Sequence, residues 1–423
     1  MKRIPSRWIA AASALVALAP ILTTLHAARR PRYGGEVRVE MRAALRTLDP
    51  TSPAADSLGL IPAVFETLVR FDEHGDPQPG LATSWTHDAA RKCWIFAARP
   101  NVVLHNGAPW SPRGGVIEVP DDRPLPKILR DLARPSSAIV VRAEDGSLVG
   151  TGPFRIARWE AEKSARLAAH DAYWAGRPFV DAIEIRMGRP LRDQELDLES
   201  GKTDVAEILV MDGRRLRQKG LAISATPPLE TLALVFENSR VPDATKEALA
   251  LSIDRATINN VLLQKQGEPS AALLPRWLSG YSFLFPAARN LARAKQLAVS
   301  SQPLAFAYDR QDEILRPIGD RIAVNASEAG ITLRTASGAA DVRLVRLPIT
   351  SRDSSTALED LAAMLKLASP ASAPFETEQA LLNGYRVIPI VHLPQMWAIT
   401  GAVRNWPRLA DVWLDAVAPG DKP

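Results

Sequence analysis

Residues 304–334 read LAFAYDRQDEILRPIGDRIAVNASEAGITLR, and this stretch decides the fold. Leu304 to Tyr308 has the apolar character of a buried strand, Asp312 to Ala329 carries helical spacing, Gly330 stops the helix, and Ile331 to Arg334 begins another strand. Pro317 falls in the first turn or two, where its missing N–H is tolerated, or else kinks the helix. Working outward, Val342 to Leu347 reads as a strand, Ser354 to Leu367 as a helix and Val387 to His392 as a strand. Upstream, Asp243 to Gln266 places Leu249, Ile253, Ile258, Val261 and Leu262 on one apolar stripe, with Asp243 as N-cap. Alternating strands and helices predict a sheet covered by helices, an α/β architecture.

The first half has a different rhythm. Glu36 to Arg42 alternates strictly, with Val37, Val39 and Met41 on one face and charges on the other, the period of a half-buried strand. Ile183, Ile185 and Met187 repeat the pattern against Glu184 and Arg186. Cys93 to Ala97 and Phe154 to Trp159 read as further strands, and Arg99-Pro100-Asn101 and Asn106-Gly107 as turns. The chain has 423 residues, enough for two or three domains, and its 34 prolines are scattered as in ordered loops.

Lys2, Arg3 and Arg7 precede an apolar run from Trp8 to Leu25, and Leu25-His26-Ala27 closes it with a small residue. This predicts a secretory signal peptide over 1–27, with an uncleaved membrane anchor as the alternative. No cysteine marks a lipoprotein anchor there. Removing the leader leaves 52 − 3 = 49 Lys and Arg against 47 Asp and Glu, so the basic balance disappears. A nucleic-acid binder would cluster unpaired cations. Here the densest basic stretch, Arg186 to Lys219, is interleaved with Asp193, Glu195, Asp197, Glu199, Asp204 and Asp212, which predicts a solvated mixed-charge surface and no nucleic-acid partner. Cys93 is the single cysteine, so stability rests on apolar burial without an intrachain disulfide. No later run is apolar and long enough to span a membrane, and the mature chain is expected to be soluble.

The sequence carries no catalytic signature. Its six histidines (His26, His74, His87, His105, His170, His392) are scattered without metal-binding spacing. It lacks a G-x-S-x-G elbow. Gly201-Lys202-Thr203 looks like the end of a phosphate-binding loop, but Leu196 stands where the first glycine is needed, and a helix-ending turn is the better reading. Cys93, between Lys92 and Trp94, is expected to be a packed or half-exposed thiol rather than a nucleophile. No enzyme activity, cofactor or metal is expected.

Several segments in collinear order resemble one family, the extracytoplasmic solute-binding proteins of peptide and nickel ABC importers, family 5. They are Tyr33-Gly34-Gly35-Glu36-Val37-Arg38-Val39, Thr47-Leu48-Asp49-Pro50, Val64-Phe65-Glu66-Thr67-Leu68-Val69, Pro79-Gly80-Leu81-Ala82-Thr83-Ser84-Trp85 and Leu104-His105-Asn106-Gly107-Ala108-Pro109-Trp110. Gly150-Thr151-Gly152-Pro153-Phe154, Tyr173-Trp174-Ala175-Gly176-Arg177-Pro178 and Ala248 to Arg255 continue the likeness. The resemblance implies a two-lobed α/β periplasmic binding protein fold of type II-like form, with mixed sheets flanked by helices and a hinge between the lobes. Lobe I would comprise 33–235 plus 390–423 and lobe II 236–389, with crossing strands near Leu232 to Glu237 and Ile388 to Leu393. It also implies a peptide or small polar solute held in the cleft, a membrane permease as partner, a monomer and a periplasmic location.

Two departures stand out. Ser111-Pro112-Arg113-Gly114-Gly115 passes almost directly to Val116, so a subdomain around 111–135 is shortened. No counterpart of the family's acidic peptide-binding segment lies between Leu347 and Leu367. A non-transporting periplasmic sensor or scaffold with the same fold therefore stays open as an alternative. Position in the resemblance suggests ligand contact at Asp49, Thr51, Ser52 and Asp56 in the loop 49–57, at Trp277 and Tyr281, and at His392, Gln395 and Trp397. Gly150 and Gly152 are expected to serve a tight turn.

Overall fold

The alternation at the start of the domain becomes the strand β1 (Glu36–Glu40), whose Val37 and Val39 are buried. The computed structural model describes residues 31–52, 60–72, 75–280, 285, 287–298, 302–369 and 373–414. The predicted leader, Asp56 and Tyr281 lie outside them. Further strands are β2 (Phe154–Glu160), β3 (Ser164–Ala169), β4 (Ala182–Arg186), β5 (Val205–Ile208), β6 (Ala222–Phe236), β7 (Leu304–Ala307), β8 (Leu333–Thr335), β9 (Val342–Pro348) and β10 (Val387–Ile399). They form one mixed sheet in the order β8-β7-β9-β6-β10-β5-β1-β4-β3-β2, with the short strand Glu268–Pro269 pairing onto β10. β1 runs parallel to β4 and β5, and β7 parallel to β8 and β9.

The helices used below are α1 (Leu125–Ala133), α2 (Leu191–Glu199), α3 (Asp243–Ser252), α4 (Leu315–Glu328), α5 (Ser354–Leu365) and α6 (Pro374–Leu382). Ile318, Ile322 and Ala326 of α4 pack with Leu304, Phe306, Leu232 and Leu234 in a large core on the β6–β10 side. Val37, Val39, Ile183 and Ile185 anchor another beside β1. Ala82–Asp88, Cys93–Ala98 and Val116–Val119 form a separate three-stranded sheet, with Ile128 and Leu129 of α1 closing its own small core. Cys93 is buried there, as expected of a packed thiol.

The predicted strand–helix–strand unit forms with trimmed ends. α4 starts at Leu315 because the Asp312 carboxylate accepts the N–H groups of Ile314 and Leu315, at 2.8 and 2.9 Å. Pro317 sits in its first turn, and Gly330, at φ +85°, ends the segment. Gly201 (φ +71°) likewise forms the turn after α2.

Four expectations need correction. The helix predicted from Asp243 to Gln266 is broken: α3 stops at Ser252, Ile253 turns extended, and Asp254 starts a new turn by accepting the Thr257 N–H at 2.9 Å, leaving Ile258–Leu262 as a π-helix. A short acidic side chain that bonds nearby backbone competes with helix continuation, and Val261 consequently stands 67% exposed. Asp243 is the first helical residue and not the N-cap, which is Pro242. Gly150 and Gly152 form no tight turn; both have ordinary φ, and a Cβ would lie 2.2 and 2.7 Å from the carbonyl oxygens of Val64 and Ala63. They are needed for close backbone approach. Finally, the charged stretch from Arg186 is not merely a solvated surface. Arg186, Arg189 and Asp197 close over Glu40, which is fully buried, with Arg186 Nη2 2.5 Å from Glu40 Oε1. Burial pushes the Glu40 carboxyl up to about 7.

Arg255, in the second half, is 4% exposed. Its guanidinium donates to the carbonyls of Pro389 (3.0 Å), Ala250 (3.3 Å) and Ala287 (3.4 Å). Burial lowers its pKa to about 10.

Candidate functional site

β6 and β10 are the two long strands joining the β9 side of the sheet to the β5 side. Their ladder slips between Ala225 and Pro228, between Pro228 and Glu230, and between Leu232 and Ala233, with Pro228 opposite Pro394. Neither proline has an N–H, so rungs are missing where they face each other. Side chains take over part of the work: Thr226 Oγ1 accepts the Gln395 N–H at 3.0 Å, and Trp277 donates its indole N–H to the Pro228 carbonyl at 2.8 Å. The slip lies a few residues from the crossing expected near Leu232 to Glu237 and Ile388 to Leu393.

Beside this irregularity opens a cleft of about 1410 Å³, with Thr226, Trp277 and Gln395 in its lining. Small-molecule sites span roughly 300–1,000 Å³, so the cleft is large enough for a small solute or a short peptide. One wall carries Arg42, just past the end of β1, between Glu207 of β5 (3.7 Å) and Asp312 (3.6 Å). Next to it, Arg346 of β9 grips the same Asp312 through two bonds of 2.8 Å and also pairs with Glu230. Burial opposes ionisation of Asp312, yet the hydrogen bonds and charge of Arg346 outweigh it and hold the carboxyl below its ordinary range. From the end of α1, Arg134 reaches Glu359 (2.9 Å) and Asp360 (3.2 Å) of α5, and Arg130 lies 3.6 Å from Asp353.

Glu66 also lines the cleft, and its carboxylate accepts from Tyr173 Oη at 2.9 Å and Trp174 Nε1 at 3.0 Å. Burial raises its pKa despite these bonds. Arg99 stacks on Trp174 at 3.9 Å. Among the described residues no group of three or more His, Cys, Asp or Glu could hold a metal ion.

The predicted residues divide. Ser52, Trp277, Gln395 and Trp397 lie along the cleft. Asp49 and Thr51 are not among its lining; Asp49 accepts the Thr51 N–H (3.0 Å) and hydroxyl (2.7 Å) and pairs with Arg142. His392 is 1% exposed and turned away from it. Thr231 Oγ1 gives its proton to the Leu273 carbonyl (2.9 Å), so His392 Nδ1 must donate to Thr231 Oγ1 (2.8 Å), which leaves Nε2 unprotonated and without a partner. Burial lowers the His392 pKa to about 3, and the ring stays neutral. The sequence reading missed Arg42, Glu207, Asp312 and Arg346. One signal was available for the first two, since ligands of open α/β sheets gather beyond the carboxyl ends of parallel strands.

Comparison with known proteins agrees with this architecture. The model of the bacterial extracellular solute-binding proteins, family 5 Middle, matches residues 118–334. The probable D,D-dipeptide-binding periplasmic protein DdpA of Escherichia coli is 21% identical over 328 residues, 64% of either chain. The peptide transport periplasmic protein SapA of Salmonella typhimurium is 28% identical over 142 residues, 31% of this chain and 25% of SapA. The chain thus spans less than two thirds of these relatives. Among solved structures, Staphylococcus aureus NikA in complex with Ni(L-His)2 covers 90% of this chain and all of its own at TM-score 0.73 and 16% identity. Bacillus subtilis AppA, in complex with a nonapeptide, covers 91% and 100% at TM-score 0.72 and 14% identity. Such likeness establishes the shared periplasmic binding protein fold, and with half of the sequence matched by the family model, the chain belongs to the bacterial extracellular solute-binding proteins of family 5.

Proposed function

We propose that this protein is the solute-binding component of an ABC importer, a periplasmic monomer that encloses a peptide or other small polar solute and hands it unaltered to a membrane permease. The observation that carries the reading is the cleft of about 1410 Å³ beside the proline-broken crossing of β6 and β10. The two lobes expected from the sequence, 33–235 plus 390–423 and 236–389, would move against each other, with the bend falling a few residues inside the first of them, where the ladder loses its rungs at Pro228 and Pro394. Ser52, Trp277, Gln395 and Trp397 would meet the solute. The carboxylates in the cleft are bonded to neighbouring side chains, a setting for binding rather than for acid–base catalysis.

Mass spectrometry of solute released from the purified chain, paired with a thermal-shift screen, tests the reading. A genuine ligand raises the melting temperature with concentration and shrinks the radius of gyration in X-ray scattering. A chain that carries nothing, responds to no peptide or small solute and never contracts would sink it.

A further inference from the structure

The end of the cleft wall at Trp397 has an imbalance of hydrogen-bonding groups. Trp397 of β10 meets Trp406 edge to face, with ring centroids 5.2 Å apart, and Arg408 follows two residues on; all three line the cleft together with Gln395. The Trp406 Nε1 is shielded from solvent and has no acceptor. Neither the Arg408 guanidinium nor the Gln395 side-chain amide has a partner among the described residues, although the backbone of both is bonded. An indole offers only a donor and a guanidinium only donors. An orphaned buried donor costs roughly 1–3 kcal/mol until an acceptor reaches it.

Acceptors inside the cleft are, by contrast, already committed. Glu66 is taken by Tyr173 and Trp174, Glu207 by the backbone and side chain of Arg42, and Glu230 by Arg346. Asp360 is held by Thr350 and Arg134, and Asp72 by Gln78. Among the described residues of the lining, a ligand's ammonium group would therefore find no carboxylate that was not already engaged, whereas a ligand's carboxylate finds the exposed guanidinium of Arg408, bonded to no protein group among them, against an aromatic wall.

We propose, resting on the solute-binding reading above, that Trp397, Trp406, Arg408 and Gln395 form the anchor for a carboxylate borne on a flat or bulky apolar body. Arg408 receives the two oxygens through its fork, Trp406 Nε1 gains an acceptor after a small turn of its ring, and the indole faces cover the apolar part. The carboxylate belongs either to the C-terminus of a short peptide or to a small free acid.

Titration calorimetry on the full chain at pH 7 separates these cases with three probes: N-acetyl-Ala-Ala-Phe as the free acid, the same peptide amidated, and 3-phenylpropionate. Amidation should weaken binding about tenfold or more, because it removes a charge-assisted bidentate pair. R408Q should lose the same factor for the acid and nothing for the amide, and W406F should lose a few-fold for the acid; melting curves confirm that both variants fold. Binding of the peptide acid alone identifies a peptide C-terminus, and Arg408-dependent binding of 3-phenylpropionate as well identifies a small free acid. The anchor is overturned if the amide binds as tightly as the acid, if R408Q changes neither, or if no probe binds. A co-purified solute that binds independently of Arg408 would overturn the anchor and keep the solute-binding reading, while a chain that binds nothing at all overturns both.

Discussion

Trp277 donates its indole N–H, at 2.8 Å, to the carbonyl of Pro228, the residue at which the two long strands lose register. A cleft-lining aromatic is thereby tied to the crossing itself. Trp277→Phe keeps most of the apolar body and frees that carbonyl. It should lower stability by about 1 kcal/mol, the net worth of one hydrogen bond, and broaden the scattering-derived size distribution of the unliganded chain. An unchanged denaturation midpoint and unchanged scattering would show that the bond does not restrain the crossing.

Charge pairs in the cleft differ in worth by their burial. Arg346 has a side chain only 16% exposed and serves both Asp312 and Glu230, so R346Q leaves Glu230 unpaired in a poorly hydrated place and Asp312 with only two backbone N–H groups and the more distant Arg42. The expected loss is about 3–5 kcal/mol. Arg134, 31% exposed and facing a 55% exposed Glu359, sits in the regime of about 0–1 kcal/mol, and R134Q should barely move the urea midpoint. Equal effects for the two variants would contradict this ordering.

Part of the acid sensitivity should be traceable to His105, beside the contribution of the still more deeply buried His392. The His105 Nδ1 accepts the Gly150 N–H at 3.2 Å, so Nε2 carries the proton and donates to the Gly152 carbonyl at 3.0 Å. Burial lowers the ring's pKa to about 4. The unfolded chain thus takes up a proton near its ordinary value of about 6.5 while the folded chain does not. Stability contributed by the neutral ring is complete above that value and is lost as pH falls from about 6.5 to 4, up to about 3 kcal/mol in all. H105Q, with no group to titrate, should show a shallower loss over the same window in urea titrations; parallel curves would remove His105 from the acid response.

Gly150→Ala would place a methyl 2.2 Å from the Val64 carbonyl oxygen, backbone against backbone. A loss above about 2 kcal/mol is expected, as for overpacking. Gly338 has nothing within 4 Å and an ordinary φ, and Gly338→Ala should be neutral or slightly stabilising. Similar melting temperatures for the two variants would refute the close-approach role.

Much of the fold was legible because period-2 and helical patterns act locally. Glu36–Glu40, Cys93–Ala98, Leu304–Ala307 and α4 fell close to their predicted places. The break after Ser252 was missed because the stripe through Leu249, Ile253 and Ile258 continues across it, and only the capping by Asp254 reveals it. The charged wall was missed for another reason. Arg42 and Glu207 are 165 residues apart and Arg346 and Glu230 are 116 apart, so no local pattern pairs them. His392 and Trp397 lie on the same strand, yet one is locked against Thr231 and the other lines the cleft, a distinction made by the sheet's neighbours rather than by the residues themselves.

Arg255 holds together residues 250, 287 and 389 with a positive charge that no carboxylate among the described residues balances. Guanidinium cannot shed its proton at neutral pH, so a polypeptide whose residue 389 has yet to be made or threaded leaves that cation short of a carbonyl. Backbone far along the chain is therefore a condition for the segments around residues 250 and 287 to settle onto one guanidinium.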